Sequence, residues 1–536
     1  MMKKSIIITS LLAILLFFGC SKDWLKNVEP QGKLLEANYY ATPDQALKGL
    51  VGVYNAVKNG YFNGTWSSYY LMASLPSDDA VAVGGGPADR PEFHSYDEYT
   101  STPITSGLLQ QWQRCYYAIY RANVLIERTS KMTDAGVLQI QAECKMIRAW
   151  MYFDLVRNFG QVPLITTELT PDQYGQAKVP EADIFAQIVL DLKDAAGMNP
   201  SATGLPPTRT GADRYRLTSW AAKALLGKVY MFMASPFYKT SDGNYELAAA
   251  TLKDVIDNSG KSLMTDYDKI WWYNNEFNEE TFFEISYGSS PAAALYWGNG
   301  SESQSDVIQQ LCGPRSISLN DTIWPGWGFD MVTQDLVNAY QAEGDSVRLH
   351  GTALAEWQIK KFVICGTCNP VTYVTHIEKN AGYTGYFTKK RTTWKAENPG
   401  GGVWSYSNNF RVLRLGEIYL LYAEALNRQG TPDDATARSY VDKIRTRVGL
   451  SPIDVSLGGV DLYKAIKLER RLELAQEGMR FYDLVRWEGD FTAGKGDDAT
   501  NVLVPLGFVV GKHEHYPLPN QEINNSEGKL IQNPAY

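Results

Sequence analysis

The sequence predicts a mainly α fold, a scaffold of tetratricopeptide-like helix pairs carrying one large irregular insert with short strands. Three observations predict it. Capped amphipathic helical periods recur from about residue 41 to 260 and again from about 410 to 487. Two of these helices contain L-G-x-x-Y, at Leu226–Tyr230 and Leu415–Tyr419. Each is followed by a second helix, a repeat pattern in which Gly permits close helix approach. From about 261 to 409 the helical period mostly lapses, and Trp residues stand among Gly, Asn and Pro.

The totals are those of an ordinary globular protein, 44% hydrophobic and 21% charged over 536 residues. A repeat architecture of this length can form one unit. A net charge of −8 gives no electrostatic basis for nucleic acid or an anionic membrane surface as partner. The aromatic load of 14 Trp and 33 Tyr exceeds what a core needs and leaves flat rings for a sugar-binding surface.

Lys3 and Lys4 precede the apolar run Ile6 to Phe18, which ends at Gly19-Cys20. This reads as a secretory signal, too short for a spanning helix. A small residue before Cys looks like a lipoprotein signal over 1–19, with Cys20 the acylated first residue of a single domain, 20–536. The alternative is a secreted protein with a free Cys. No other segment is apolar enough to span a membrane, so the lipid would be the only anchor.

Thr42-Pro43-Asp44 opens the first helix with a cap, a Pro and an acid. Ala46, Leu50, Val53 and Val57 form its buried stripe, and Gly60 closes it. Tyr61 to Thr105 has no sustained period and carries Trp66, Tyr69, Tyr70, Asp78, Asp79 and the triple glycine Gly84–Gly86. The triple glycine lacks the context of a phosphate loop and reads as a flexible tip. Loops this long are uncommon unless functional. Helices follow at Gly107–Lys131, at Cys144–Ile165 (ended by Gly160 and Pro163), at Glu181–Ala196, Thr218–Ala234 and Tyr245–Ile256. Gly430 ends the second L-G-x-x-Y helix, Thr431 to Asp434 cap the next, and Glu417 and Glu424 are expected to bridge helices. Ala465 to Trp487 reads as one amphipathic helix. Leu468, Leu472, Ala475, Met479 and Tyr482 form its stripe, and Arg470, Glu473 and Glu477 form a salt-bridged rim. A tail, 488–536, completes the chain.

In the insert, strand-like runs appear at Thr281–Tyr287 and Tyr373–Ile377, and rings at Trp271, Trp272, Tyr273, Tyr296, Trp297, Trp324 and Trp327. A ring on a rigid loop offers a flat face to the C–H side of a pyranose, while neighbouring polar groups bond its hydroxyls. The candidate ligand-binding residues are Trp66, Tyr70, Asp79, Trp272, Tyr296, Trp297, Trp324 and Trp327. Any one of these tryptophans could equally fill a small core under the loops. Trp271 and Trp272 are adjacent and point apart, and Trp272 is the favoured platform. At about 0.5–1.5 kcal/mol per ring beyond area burial, three rings support only micromolar to millimolar binding. Cys365 and Cys368 lack the second ligand pair of a zinc site and the helix start of a redox motif. A disulfide pinning a hairpin is the expectation, with Cys115, Cys144 and Cys312 as buried thiols. His513 and His515 lack a third metal ligand.

Four long strings carry a family resemblance. E-R-R-L-E-L-A-Q-E-G-M-R-F-Y-D-L-V-R-W (469–487), R-A-W-M-Y-F-D-L-V-R-N-F-G-Q-V-P-L-I (148–165), R-V-L-R-L-G-E-I-Y-L-L-Y-A-E-A-L-N (411–427) and the tail from Tyr516 to Tyr536 resemble the SusD-like (RagB/SusD) family. These are surface glycan-binding lipoproteins of Bacteroidetes. Ser21-Lys22-Asp23 resembles their surface-display tag. The resemblance implies four helix pairs, with a ligand surface built by loops outside them. It also implies non-catalytic capture of a polysaccharide or oligosaccharide and delivery to an outer-membrane TonB-dependent (SusC-like) transporter. No cofactor is implied, and a structural calcium ion stays open. Few basic residues near the rings lean toward a neutral glycan. Two alternatives stand beside this: a peptide or other nutrient as cargo of the same uptake system, or a secreted glycoside hydrolase. The hydrolase needs two carboxylates across a cleft, for which Asp78-Asp79 or Asp321 and Asp330 would have to serve.

Overall fold

The capped amphipathic segments become helices in order. In α1 (Pro43–Val57) the Thr42 side chain accepts from Gln45 N–H and the Gln45 side chain accepts from Thr42 N–H, a reciprocal cap that leaves Ala46, Leu50, Val53 and Val57 buried. The computed structural model describes residues 39–536 apart from 59–60, 63–64, 67, 241–243, 289–305, 316, 318–319, 399–405 and 490–497, with 61–62 and 65–66 in backbone only. The segment read as one long loop holds β1 (Tyr61–Phe62), β2 (Thr65–Trp66), α2 (Tyr69–Ser74), β3 (Ala80–Val81) and α3 (Pro91–Asp97). Its triple glycine is no flexible tip. Gly84 takes φ 53° and donates to Gly328 O at 2.9 Å, and the Phe329 ring occupies the space a Cβ would need.

The scaffold continues with α4 (Ser106–Arg128), α5 (Ala135–Phe159), α6 (Glu181–Ala195), α7 (Ser219–Ala234) and α8 (Tyr245–Asn258). Each packs mainly on its neighbour in sequence, as in helix-pair stacks. Gly160, at φ 69°, ends α5. The insert then holds β4 (Thr281–Ile285), α9 (Val307–Cys312), β5 (Met331–Val332), α10 (Gln334–Ala342), α11 (Ser346–Thr352), β6 (Ala353–Ala355), α12 (Glu356–Ile359), β7 (Val363–Cys365), β8 (Thr372–Tyr373), β9 (Tyr386–Thr388) and β10 (Phe410–Arg414). β4 pairs antiparallel with β10, so the two ends of the insert are closed together where it leaves and rejoins the scaffold. Strands β3, β5, β9 and β6 form a small sheet in that order. The run expected at Tyr373–Ile377 is strand only at its first residue. The Cys365–Cys368 disulfide pins the β7–β8 hairpin, and the other three described cysteines are buried thiols.

The scaffold resumes with α13 (Leu415–Arg428), α14 (Asp434–Arg447) and α15 (Gly459–Leu474), followed by α16 (Arg480–Arg486) and, in the tail, α17 (Ala499–Val502) and α18 (Asn520–Asn525). The helix expected to run unbroken to Trp487 stops at Leu474. Gln476 at φ 61° and Gly478 at φ 75° turn the chain sharply before α16. Gln476 is held there because its Nε2 donates to Asp79 O at 3.0 Å and its own carbonyl accepts from Tyr70 Oη at 3.1 Å.

The charges expected to form a salt-bridged rim are ion-paired, but buried and with partners on other elements. Glu473 is 0% and Arg470 1% exposed. Arg414, at the end of β10, donates to Glu280 at 2.8 Å, to Glu473 at 2.5 Å and to both Glu477 oxygens at 2.7 and 2.8 Å. Arg447 reaches Glu280 at 3.1 Å and Glu473 at 2.5 Å. Burial alone would raise the Glu473 carboxyl, but Arg447, Arg414 and Arg348 outweigh it and hold the group well below the usual carboxylate range. Glu417 and Glu424 bridge helices as expected. Glu417 meets Lys228 at 2.8 Å, and Arg486 grips both Glu424 oxygens at 2.5 and 2.6 Å. The two L-G-x-x-Y glycines serve different ends. A Cβ on Gly227 would lie 2.5 Å from Leu252 Cδ2 on the paired helix, whereas Gly416 leaves room for Arg414, Glu473 and Glu280.

Candidate functional site

The insert has its own small core, built from Val83, Ile317, Ile323, Met331, Leu354, Ile359, Val374, Ile377 and Phe387. Aliphatic side chains, Met331 and Phe387 fill this core, and Trp394 packs against its edge. Trp324 and Trp327 are half-buried on a loop that its own backbone locks. Trp324 N–H donates to Thr393 O at 2.9 Å, Gly326 to Pro314 O at 2.8 Å and Trp327 to Gln310 O at 2.8 Å. Gly328 donates to Gly313 O and Phe329 to Leu311 O, each at 2.9 Å. Every N–H from 324 to 329 is thus engaged, Pro325 having none. The loop can lie so close because Gly326 and Gly313 face each other. A Cβ on Gly326 would lie 2.6 Å from Gly313 Cα.

The rings on this loop differ. Trp324 Nε1 donates to Asn398 O at 3.5 Å, and the Lys395 ammonium stands 4.5 Å from the ring centroid. Around it, Asn398 donates to Ser407 at 2.6 Å and Thr393 to Asn408 at 3.1 Å, so the polar groups beneath are fixed. Trp327 leans on the main core, edge-on to Phe329 with ring centroids 6.4 Å apart. Trp324 therefore has the stronger geometric case as a stacking platform.

Trp271 is buried, with Lys390 4.1 Å from its ring centroid, while Trp272 is half-buried. Trp272 is anchored by Arg411, whose Nη2 donates to the Trp272 carbonyl at 2.9 Å. Its indole N–H is buried without a hydrogen-bond partner. Trp66 pairs with Tyr61 across β1 and β2, and its side chain lies outside the description. Tyr296 and Trp297, like Cys20, lie outside the described residues.

Tyr70 and Asp79 do not face a ligand. Tyr70 is 1% exposed, and its hydroxyl donates to Asp330 Oδ2 at 2.5 Å. Asp79 is 2% exposed and receives Arg471 Nε at 2.7 Å. Both sit at the seam where α2 meets the turn after α15. Their sequence context showed polar residues in a long aperiodic stretch, and only the distant Arg471, Gln476 and Asp330 reveal why they are internal.

The carboxylates considered for hydrolysis are engaged the same way. Arg480 bonds both Asp78 oxygens at 2.8 and 2.9 Å, and Arg471 spans Asp78 and Asp79. Burial pushes Asp79 up to about 6, while Arg480 and Arg471 overcome burial at Asp78 and hold it low. Asp330 is fully buried under Tyr70 and Ser74, and Asp321 is exposed. His513 stacks on Tyr99 with centroids 5.4 Å apart, whereas His515 lies against Phe237. Among the described residues no group of three metal-ligating side chains comes together.

Among the described residues of the insert, two exposed rings were not taken as candidates in the sequence reading. Trp357 on α12 is 56% exposed, with Lys361 4.5 Å from its centroid, and Tyr373 on the pinned hairpin is 47% exposed. The available signal was the charged setting of Trp357, between Glu356 and the pair Lys360-Lys361.

Comparison with known proteins places this architecture. Residues 294–536 match the SusD family, and residues 90–231 match a family described as starch-binding and associating with the outer membrane. A SusD-like protein of Bacteroides ovatus is 26% identical over 506 residues, 91% of this chain and 83% of that protein. The fold also matches surface glycan-binding protein A of Bacteroides thetaiotaomicron in complex with laminarihexaose. That match has a TM-score of 0.75 at 22% identity over 91% of this chain and 99% of that one. A laminarin-binding SusD-like protein superposes with a TM-score of 0.75 at 31% identity, over 92% of this chain and 99% of its own. At 31% identity along nearly the whole of both chains, the chain belongs to the SusD-like family.

Proposed function

We propose that this protein captures a neutral oligosaccharide at the cell surface and passes it on unaltered. Its ligand class would be the β-linked glucans typified by laminarin. The observation that carries the reading is the Trp324 ring, half-buried on a backbone-locked loop, in a chain 31% identical to a laminarin-binding relative. Trp272 is the second described ring in this reading, and Tyr296, Trp297 and Trp66 complete the expected surface. Cys20 would carry the lipid that holds the protein at the outer membrane, and a SusC-like TonB-dependent transporter would receive the cargo. Weak binding suits that hand-over, since a ligand held by two or three rings leaves readily.

Calorimetry of the chain from Ser21 onward against laminarihexaose tests this, with maltohexaose and cellohexaose alongside. Saturable binding of laminarihexaose, weakened about 2- to 12-fold by Trp324→Ala, is expected. No binding to any of the three, or full affinity in Trp324→Ala, would defeat the reading.

A further inference from the structure

A cleft of about 710 Å³ opens between the α6–α7 connection of the scaffold and the base of the insert around β4. Its volume falls within the roughly 300–1,000 Å³ of small-molecule sites. None of its lining residues belongs to the Trp324 loop or to the 393–398 segment beneath it. One wall carries Tyr215, 43% exposed, edge-on to Phe277 with ring centroids 5.2 Å apart. Phe277 sits at φ 55°, a left-handed conformation costly for a bulky residue. It is held there because its N–H donates to Glu284 Oε1 at 2.8 Å. The scaffold thus accepts backbone strain to keep that ring opposite Tyr215.

The charges in the cleft are one-sided. Arg209 and Arg216 both bond the buried Glu143, at 2.9 and 2.5 Å, and Arg216 also reaches Asp213 at 3.1 Å, so these two guanidiniums are neutralised. Arg214 stacks over Tyr215 at 4.6 Å from its centroid, and Lys261 donates to the Asn278 carbonyl at 3.1 Å. Neither Arg214 nor Lys261 has a carboxylate partner within ion-pair distance among the described residues. The acids do not redress this. Glu284 is bonded by Phe277, Thr281 and Asn409, and burial pushes Glu276 up to about 8, so it is largely uncharged at neutral pH.

We infer that this cleft is a second saccharide site, one that takes a sugar residue bearing an anionic group, carboxylate or sulfate. The pyranose would stack at Tyr215 and Phe277, and its anion would be received by Arg214 and Lys261. Arg presents planar paired donors to such groups, and a partly enclosed cleft strengthens the attraction. The exposed Tyr215 ring beside two cations without carboxylate partners fits an acidic saccharide, and this site is separable from the Trp324 surface.

The test is calorimetry at low ionic strength with trigalacturonate and with a sulfated disaccharide, in the presence of saturating laminarihexaose. At least one acidic probe should bind saturably, and which one responds distinguishes uronate from sulfate. Arg214→Ala should lower that affinity roughly tenfold, and Tyr215→Ala several-fold. Both side chains are exposed, so the fold should be unchanged by circular dichroism and melting. Trp324→Ala should leave acidic binding intact, which keeps failure here distinct from failure of the glucan reading. Absence of binding by both acidic probes would overturn the inference. So would undiminished affinity in both Arg214→Ala and Tyr215→Ala, or displacement of the acidic probe by laminarihexaose.

Discussion

Replacing Arg414 with Met tests whether the buried charge cluster stabilises the junction of scaffold and insert. In the native protein one guanidinium, 1% exposed, serves Glu280, Glu473 and Glu477. Without it, Glu280 and Glu473 keep Arg447, and Glu477 keeps Lys390 at 2.7 Å. The three carboxylates would then rely on Arg447, on Lys390 and, 3.4 Å from Glu473, on an Arg348 that also serves Asp345 and Glu469, leaving buried negative charge uncompensated. Removing one partner of a buried pair costs about 3–5 kcal/mol, most of it the desolvation of the group left behind. Unfolding entropy near 2.1 cal/mol/K per residue gives about 1 kcal/mol/K for a chain of roughly 500 residues, so the melting point should fall by about 3–5 °C. Scanning calorimetry reads this directly, with Arg414→Lys as the comparison. Lys keeps the charge but not the fork of donors, and should fall in between. A Met variant melting within a degree of wild type, or a Lys variant as damaged as Met, would refute the reasoning.

Gly227→Ala should cost about 1–3 kcal/mol, since the new methyl meets Leu252 Cδ2 at 2.5 Å across the α7–α8 contact; an unchanged melting point would show that the helices separate freely. Cys20→Ala should abolish fatty-acid labelling of the expressed protein, and unchanged labelling would remove the lipid anchor. The melting point should also fall from about pH 5 to pH 7. Burial raises Asp79 and Asp330 to about 6 and Asp97, Asp306, Glu181 and Glu397 to about 7, against an ordinary range near 4. In that window the folded chain retains protons the unfolded chain has released, so stability drops as pH rises. His513 and His515, lowered by burial to about 4, act oppositely below about pH 6.5 but are outnumbered. Lys390, lowered by burial to about 7, adds stability only above that. A higher melting point at pH 7.5 than at pH 5.5 would contradict this.

The scaffold was readable because helix pairs write their burial locally. The Thr42 cap, the Gly160 stop and the Leu226–Tyr230 pattern each act within a few residues, and each appears where expected. The break after Leu474 was not readable. Ala475, Met479 and Tyr482 continue the apolar spacing across it, while the cause, Gln476 held by Tyr70 and Asp79, lies about 400 residues upstream. The burial of Glu473 and Arg470 was hidden too, because their partners Asp483, Arg447, Arg414 and Arg348 lie 13 to 125 positions away, beyond what helical spacing registers. At the candidate site, Trp324 and Trp272 were picked out as rings among Gly, Asn and Pro in the insert, and the structure leaves both half-buried. Tyr70 and Asp79 were misassigned because an aperiodic stretch does not show which of its polar residues face inward.

The seam between the two chain ends has a consequence for how the molecule comes into being. Arg480 bonds Asp78 across 402 positions, Tyr70 meets Gln476 across 406, and Tyr516 Oη donates to the Met72 carbonyl across 444. Contacts of such separation close the largest loops the chain can form, and their entropy must be lost before they contribute. The helix pairs can assemble early from neighbours. The region around α2 cannot close until the last seventy or so residues have arrived, so a nascent chain stays open at its beginning until its end is made. With the export signal expected over residues 1–19, this ordering would favour threading across a membrane before the native state locks.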